Sequence, residues 1–460
     1  MKYLTVDFGS TYTKLTAIDA AVGEVVGTAN AFTTIETDVE IGFNNALQNL
    51  ENKIGKFEYD ELLCCSSAAG GLKMVALGLV PELTAKAAKM AAASAGAKVV
   101  RTYSYEISKQ EQDEIFEINP DLVLLCGGTD GGNKEVILSN AKHLCNINRN
   151  FSIIAAGNKS ASNELENIFN DSDKNFVITE NVMPHFNSLN TAPAKEAIKN
   201  LFIKKIVEAK GLAKIQEMTK FEIIPTPLAV LIGCELLSKG TNKTAGIGEF
   251  LAIDIGGATT DVYSMAKGSP TLDNVMEKGL PEPFSKRTVE GDLGMRYSLK
   301  HIYEQIDIEK FLTSNNFTVT ESEVADWVEK CTVSPEIIAK TEKEILIEEA
   351  LAKSAIEIAV ERHSGIMEKT YTPIGEVFSL TGKDLSEIPF VIGIGGAIIN
   401  SPNPEKILEG AKYSAKNLYC MKPKSPKYLL DKKYIFAAMG LLSTVDSELA
   451  LKTAKRLITT

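Results

Sequence analysis

Asp7-Phe8-Gly9-Ser10-Thr11-Tyr12-Thr13-Lys14 and, past the middle of the chain, Asp254-Ile255-Gly256-Gly257-Ala258-Thr259-Thr260-Asp261 decide how this sequence reads. Each follows β-forming apolar residues: Tyr3, Leu4 and Val6 before the first, Phe250, Leu251 and Ile253 before the second. Each therefore reads as strand, tight glycine turn, return strand. A glycine turn lets backbone N–H groups point at phosphate oxygens, and neighbouring hydroxyls add donors. Gly9, Ser10, Thr11, Tyr12 and Lys14 are the expected phosphate contacts of the first turn, and Gly256, Gly257, Thr259 and Thr260 those of the second. An aspartate beside a phosphate is repelled unless a cation lies between them. Asp7 and Asp254 thus imply Mg²⁺ held through water, with Asp254 or Asp261 helping to place an attacking water.

A third run, Val391-Ile392-Gly393-Ile394-Gly395-Gly396-Ala397, is a strand ending in paired glycines. There the backbone can come close to a flat base or ribose, so Gly395 and Gly396 are expected to face adenosine. Phosphate hairpin, second phosphate hairpin and Gly-Gly turn, in that order, resemble the acetate kinase, sugar kinase, heat-shock ATPase and actin superfamily. The resemblance implies ATP and Mg²⁺ as ligands. The fold class expected is α/β, a duplicated actin-like (ribonuclease H-like) ATPase fold. In that superfamily the turn equivalent to Thr288-Val289-Glu290-Gly291-Asp292-Leu293-Gly294 faces the nucleotide, which makes Glu290 and Asp292 candidates for a polar role there.

The first half is expected over 1–69 and 189–242, reading as three strands, a helix at 39–54, a strand at 61–66, a helix at 193–218, a strand at 221–227 and an apolar helix. Between them, residues 70–188 alternate strands (73–80, 97–103, 122–126, 151–156, 175–179) with helices (82–95, 108–118, 133–146, 160–170). That alternation predicts a parallel, doubly wound α/β insert, able to close its own core as an independent layer. Its loop Gly127-Gly128-Thr129-Asp130-Gly131-Gly132 lies where open α/β sheets bind ligands but does not fit G-x-G-x-x-G, so a flexible glycine loop is the better reading. The second half, 243–460, repeats the hairpin and carries a small lid-like subdomain at about 295–345 around Trp327. The small residues of Tyr434-Ile435-Phe436-Ala437-Ala438-Met439-Gly440-Leu441 would let a final helix pack close to the one near 228–237. Two such halves facing each other make a cleft, where ligands bind.

At 460 residues, 44% hydrophobic and 24% charged, the chain is globular and too long for one core. A net charge of −11 with no basic stripe argues against nucleic acid and anionic membranes as partners. No signal-peptide pattern or bilayer-length apolar span is evident. The seven cysteines are scattered, with no C-x-x-C pair, which reads as reduced thiols filling core space in a cytoplasmic protein. The four histidines are isolated, and surface or helix-face roles are expected for them.

The two hairpins, the acidic turn, Cys64-Cys65-Ser66-Ser67-Ala68-Ala69-Gly70-Gly71-Leu72 and Cys126-Gly127-Gly128-Thr129-Asp130-Gly131-Gly132 together look like the glutamate mutase MutL (GlmL) family, unrelated to the mismatch-repair protein of similar name. The resemblance covers nearly the whole chain. It implies a slow ATPase that serves as a reactivating chaperone for an adenosylcobalamin-dependent mutase, such as glutamate mutase or an aminomutase, by driving out damaged cobalamin. The partner is then the mutase, with the insert as the natural docking surface and a homodimer left open. None of the histidines lies in a D-x-H-x-x-G run, so the chain is expected to handle a cobalamin enzyme without ligating cobalt itself. Two alternatives share the fold: a small-molecule kinase, and an ATP-dependent activator of a radical enzyme.

Overall fold

Lys2–Phe8 (β1) buries Tyr3, Leu4, Thr5 and Val6 in succession, the pattern of a strand covered on both faces. The computed structural model describes residues 1–9, 11–34, 38–67, 73–209, 212–316, 318–372, 375–415 and 417–458. In it β1 pairs antiparallel with Tyr12–Asp19 (β2), which pairs with Glu24–Phe32 (β3), and parallel with Glu61–Ser66 (β4). Five strands then form a sheet of their own: Lys73–Gly78 (β5), Lys98–Ser104 (β6), Leu122–Leu125 (β7), Ser152–Ala155 (β8) and Phe176–Ile178 (β9). The chain returns to the first sheet with Ile224–Pro225 (β10), giving the order β10-β4-β1-β2-β3. β10 is two residues long where 221–227 was expected. Pro225 has no N–H for a ladder, and the helix Thr226–Lys239 starts at the next residue.

The second half repeats this. Phe250–Ile255 (β11) and Thr260–Met265 (β12) form the hairpin, Val275–Lys278 (β13) leaves it, and Ser285–Glu290 (β14) returns as the third strand. Ile366–Thr372 (β15) and Gly375–Thr381 (β16) join β13 in a small three-stranded sheet, while Phe390–Ile394 (β17) and Lys427–Leu430 (β18) complete the order β14-β12-β11-β17-β18. Numbered within its own half, each five-stranded sheet runs 3-2-1-4-5, with the first three strands antiparallel and the last two parallel. The chain is α/β and its topology is duplicated. By internal contacts it divides into one unit of Met1–Gly233, Gly279–Pro281 and Ala437–Ala450 and another of Cys234–Lys278, Glu282–Phe436 and Leu451–Thr460.

The sheet within 73–178 is all parallel in the order β6-β5-β7-β8-β9, a doubly wound arrangement. Period-two alternation sorts its residues onto two faces. Val75, Leu77, Val123, Leu125, Ile153 and Ala155 pack under the helices Lys109–Ile118, Glu135–Cys145 and Ser162–Asn170. Met74, Ala76, Leu122, Leu124 and Ile154 belong instead to the core that holds Leu4, Val6, Phe8 and Leu15 of the first sheet. Ala194, Ile198 and Phe202, from the helix Ala192–Ala209 that follows the insert, lie in that same core. That second face of the inserted sheet is covered by Ala87, Ala88, Ala91 and Ala92 of the insert's own helix Lys86–Ser94, and its core runs on into the one that holds the first sheet. The glycine loop after β7 is closed on itself. Asn158 accepts from Gly131 N and donates to the Gly132 and Asn133 carbonyls, and Asn181 donates to Gly128 O and to the Asp130 carboxylate.

The helix Ile435–Ser443 presents Gly440 to the Thr226–Lys239 helix so closely that a Cβ there would lie 1.9 Å from the Ala229 carbonyl oxygen. In an open helix position Gly→Ala stabilises by up to about 1 kcal/mol. Gly440→Ala should have the opposite sign and destabilise by about 1–3 kcal/mol, the cost of overpacking a close contact. Urea unfolding measures it, and a stabilised variant would contradict the close approach.

Candidate functional site

The first turn is closed by Gly9 N donating to Tyr12 O at 3.1 Å, and a Cβ on Gly9 would sit 2.6 Å from that same oxygen. Hydroxyls from β2 and the segment after β3 brace it. Thr33 Oγ1 donates to Gly9 O at 2.8 Å and lies 3.1 Å from Thr13 Oγ1, while Thr33 N donates to Thr11 O. Tyr12 stands exposed, its ring 4.7 Å from that of Phe32. Ser10 lies outside the described residues, as does the stretch 68–72 of the quoted motif.

Asp7, the penultimate residue of β1, stands opposite Lys14, whose Nζ is 3.8 Å from Oδ2. Asp7 Oδ1 accepts from Thr226 Oγ1 at 2.6 Å and from Cys65 Sγ at 3.6 Å. Cys65 follows from register, since β4 sets it beside Asp7. Thr226 follows from β10, the next strand over, which delivers the first residue of its helix to the same sheet end. Burial, then the Asp7 charge, pushes the Cys65 thiol well above its ordinary range, which makes it a packing and donor group rather than a nucleophile. Thr226 was not singled out from sequence.

The second turn closes the same way, Gly256 N donating to Thr259 O at 2.9 Å. Its surroundings differ. Loop 291–298 wraps it: Met295 N donates to Gly256 O, Arg296 N and Tyr297 N to Gly257 O, and Ser298 Oγ to Ala258 O. A Cβ on Gly294 would be 2.3 Å from the Ala258 carbonyl carbon. Thr260 is fully buried and its hydroxyl donates to Leu293 O, so it braces the turn from beneath. Asp254 stands opposite Asp261. Asp261 accepts from buried Arg287 at 2.8 and 2.7 Å and from Thr259 Oγ1 at 3.2 Å. Gly395, at φ +94°, runs against this strand: a Cβ would meet Ile255 O at 2.2 Å and Asp254 Oδ1 at 2.9 Å. On Gly396 a Cβ would lie 3.3 Å from Tyr434 Oη. The structure thus brings Asp254, Gly256, Thr259 and Gly395 together at one sheet end.

Glu290 and Asp292 meet a cation rather than open space. Arg362 Nη1 donates to Glu290 Oε2 at 2.7 Å and to Asp292 Oδ1 at 2.9 Å, and Nη2 to Asp292 Oδ2 at 3.0 Å and Gln305 Oε1 at 2.7 Å. Burial opposes ionisation of Asp292, but hydrogen bonds from Arg362 and Gln305 prevail and hold its carboxyl below the usual range. Arg296 extends the brace further: its guanidinium pairs with Glu348 and donates to the Pro335 and Ile337 carbonyls.

Beneath β12 lies a polar cluster. His363, last residue of the capped helix Glu342–His363, is fully buried, so of the surface or helix-face roles expected for the histidines it has the second, on a buried face. Nδ1 is 2.8 Å from Thr288 Oγ1 and Nε2 2.8 Å from Ser264 Oγ; burial, then the Lys286 and Lys383 charges, pushes its pKa well down. Lys383 Nζ donates to Phe284 O at 2.7 Å and to Ser264 Oγ at 3.2 Å.

Two sheets of one order, each opening on an acid-bearing glycine hairpin, define the duplicated actin-like α/β fold. Within it the chain belongs to the MutL protein family, whose model matches residues 3–458. Protein MutL of Clostridium tetanomorphum is 47% identical over 459 residues, covering 99% of this chain and 98% of that protein. Among solved structures, a glycerol dehydratase reactivase matches 96% of this chain and 99% of its own at 10% identity and a TM-score of 0.36. An activator of the 2-hydroxyisocaproyl-CoA dehydratase from Clostridium difficile, with bound ADPNP, matches 99% and 98% at 11% identity and a TM-score of 0.30. At these TM-scores the two structures carry no argument about this chain.

Burial, then the Lys286 charge, pushes Lys383 down from 10.5 to about 7. The unfolded chain therefore binds more protons than the folded one between those values, and stability attributable to this group rises with pH across that window. Lys383→Met removes the titration. Urea unfolding from pH 7 to 9 should show wild type gaining stability relative to Lys383→Met. Parallel pH profiles would mean that Lys383 titrates alike in both states.

Proposed function

We propose that this protein is an ATP-dependent accessory factor that reactivates an adenosylcobalamin-dependent mutase, with slow ATP hydrolysis driving the release of damaged cobalamin. The observation that carries the nucleotide reading is the repetition itself. Twice, the central strand of a sheet carries an aspartate as its penultimate residue and runs into a glycine turn whose amides and hydroxyls sit at the same sheet end. Random glycine hairpins have no reason to repeat in this way at equivalent strands of two equivalent sheets.

The residues suit Mg²⁺–ATP. Among the described residues no group of three or more His, Cys, Asp or Glu side chains could hold a metal alone. Mg²⁺ takes one or two carboxylates and completes its shell with water and phosphate oxygen. Asp7 and Asp254 are the carboxylates proposed to hold it. When bound, the ion neutralises charge on the phosphates. Gly9, Ser10, Thr11, Tyr12 and Lys14 on one hairpin and Gly256, Gly257 and Thr259 on the other hold phosphates. Thr260 supports its turn from below, and Gly395 and Gly396 face the adenosine. Asp254 or Asp261 helps to orient the attacking water, Asp261 being held in place by Arg287 and Thr259. Such catalysis is mostly positioning and charge neutralisation. Glu290 and Asp292 act through Arg362, holding loop 291–298 against the second turn. The mutase as partner rests on the family resemblance of the motifs, and ATP supplies the differential affinity that a conformational switch requires.

Asp7→Ala and Asp254→Ala should each weaken Mg²⁺–ATP binding or hydrolysis by a factor of at least ~100, a loss of about 3 kcal/mol. Isothermal titration and phosphate release measure this, and unchanged titration by both variants removes the nucleotide reading. With ATP, Mg²⁺ and fresh adenosylcobalamin, the protein should restore a mutase blocked by hydroxocobalamin. A non-hydrolysable analogue should not sustain repeated rounds. Recovery that is equal without the protein, or a phosphorylated small-molecule product, would overturn the chaperone reading.

A further inference from the structure

The two hairpins share a register and differ in charge. Opposite Asp7 stands Lys14, so the first pair is an acid facing a base. Opposite Asp254 stands a second acid, Asp261. Directly opposed side chains on an antiparallel pair have Cβ atoms about 4.5–5.5 Å apart, and like charges there repel. A polyanion approaching that end of the second hairpin would meet both carboxylates.

The answer comes from the third strand. Arg287 on β14 stands opposite Tyr263, one pleat along from Asp261. Its side chain is 2% exposed, and its Nε and Nη2 lie 2.8 and 2.7 Å from Asp261 Oδ1. The other oxygen, Oδ2, accepts from Thr259 Oγ1, the hydroxyl at the mouth of the turn. Burying a guanidinium is unfavourable unless it is paired. An apolar residue opposite Tyr263 would pack the sheet without that penalty, so Arg287 calls for a role that its charge performs.

We infer that Arg287 is a positioning residue for the nucleotide: it cancels the charge of Asp261 beside Asp254 and, through Asp261, fixes the Thr259 hydroxyl that faces the phosphates. In the first hairpin Lys14 supplies the opposing charge directly; in the second it arrives from a neighbouring strand through a buried pair. This deepens the nucleotide reading above and rests on it.

The experiment is ATP titration with and without Mg²⁺, on the full chain, for wild type, Arg287→Met, Arg287→Lys and Asp261→Asn/Arg287→Met. Removing the guanidinium alone restores the second negative charge. It repels bare ATP most and attracts the metal, so metal-free ATP affinity should fall about tenfold or more while Mg²⁺–ATP affinity falls less. That widened ratio is a readout that a merely structural role would not move. Arg287→Lys should keep the wild-type ratio. The double variant, neutral on both sides and still offering an Asn oxygen to Thr259, should return to within about threefold of wild type. If Arg287→Met alone does not fold, Arg287→Gln, neutral but still able to donate to Asp261, takes its place: a widened ratio supports charge cancellation, and a wild-type ratio overturns it. Wild-type ATP binding with one common ratio in every variant overturns the role of Arg287 alone. A wild type that binds no ATP overturns this inference together with the nucleotide reading.

Discussion

One backbone hydrogen bond, made twice, sets the terms for the rest: Gly9 N to Tyr12 O, and Gly256 N to Thr259 O. Each closes a turn so tight that the seven-residue interval from Asp7 to Lys14, or from Asp254 to Asp261, becomes a directly opposed pair. Shift either register by one and the acid turns into the sheet's other face. The strands leading into the turns are therefore locked by burial. Leu4, Val6 and Phe8 in one sheet and Leu251, Ile253 and Ile255 in the other are at most 1% exposed. The core holds register, register holds the turn, and the turn holds the polar groups.

The duplication conserves this geometry and changes how it is supported. Around the first turn the braces are mostly hydroxyls, of Thr33, Thr13 and Thr226, beside the single Lys14–Asp7 pair. Around the second they are largely ionic: Arg287 with Asp261, Arg296 with Glu348, Arg362 with Glu290 and Asp292. Neutral hydrogen bonds contribute about 1 kcal/mol each. Removing one partner of a buried ion pair, here Arg287 with Asp261, costs about 3–5 kcal/mol because the other charge is stranded, whereas the half-exposed Arg362–Asp292 pair contributes far less. The second turn is the more tightly specified of the two. Its braces run along β14 and loop 291–298 to the end of the helix Glu342–His363, so a displacement of that helix would be felt at the turn.

The hairpins, the Gly-Gly turn, the inserted parallel sheet and the close helix contact at Gly440 were legible because each is a local pattern: alternation, a glycine where a Cβ cannot fit, or a strand–helix alternation. What escaped reading depends on which strand neighbours which. Thr226 reaches Asp7 across 219 residues only because β10 closes the sheet edge beside β4. Arg287 was not singled out, and its burial follows from β14 lying against β12. Glu290 and Asp292 were read as facing a ligand, but their partner Arg362 sits at the far end of a long helix. The inserted sheet was recognised while its shared core was not, since a period-two pattern shows that a face is apolar without showing what covers it. The glycine loop at 127–132 shows the converse: a sequence rich in glycine is held in place by two asparagines that lie well beyond it.

The shared core also has a consequence for the order in which the chain can become native. β4 ends at Ser66 and its sheet neighbour β10 begins at Ile224, with the whole inserted sheet and the Ala192–Ala209 helix emerging in between. During synthesis the first sheet must wait, one edge incomplete and part of its apolar face uncovered, until that later helix brings in Ala194, Ile198 and Phe202. Such long-range closure makes for slow folding and prolonged exposure of sticky surface. The inserted sheet can pair its own strands early and takes part of its second cover from its own helix Lys86–Ser94, the rest arriving with the later one. Both sheets of the first unit are therefore completed late, the first only once β10 has also emerged, and a nascent chain truncated before about residue 202 would carry both of them unfinished.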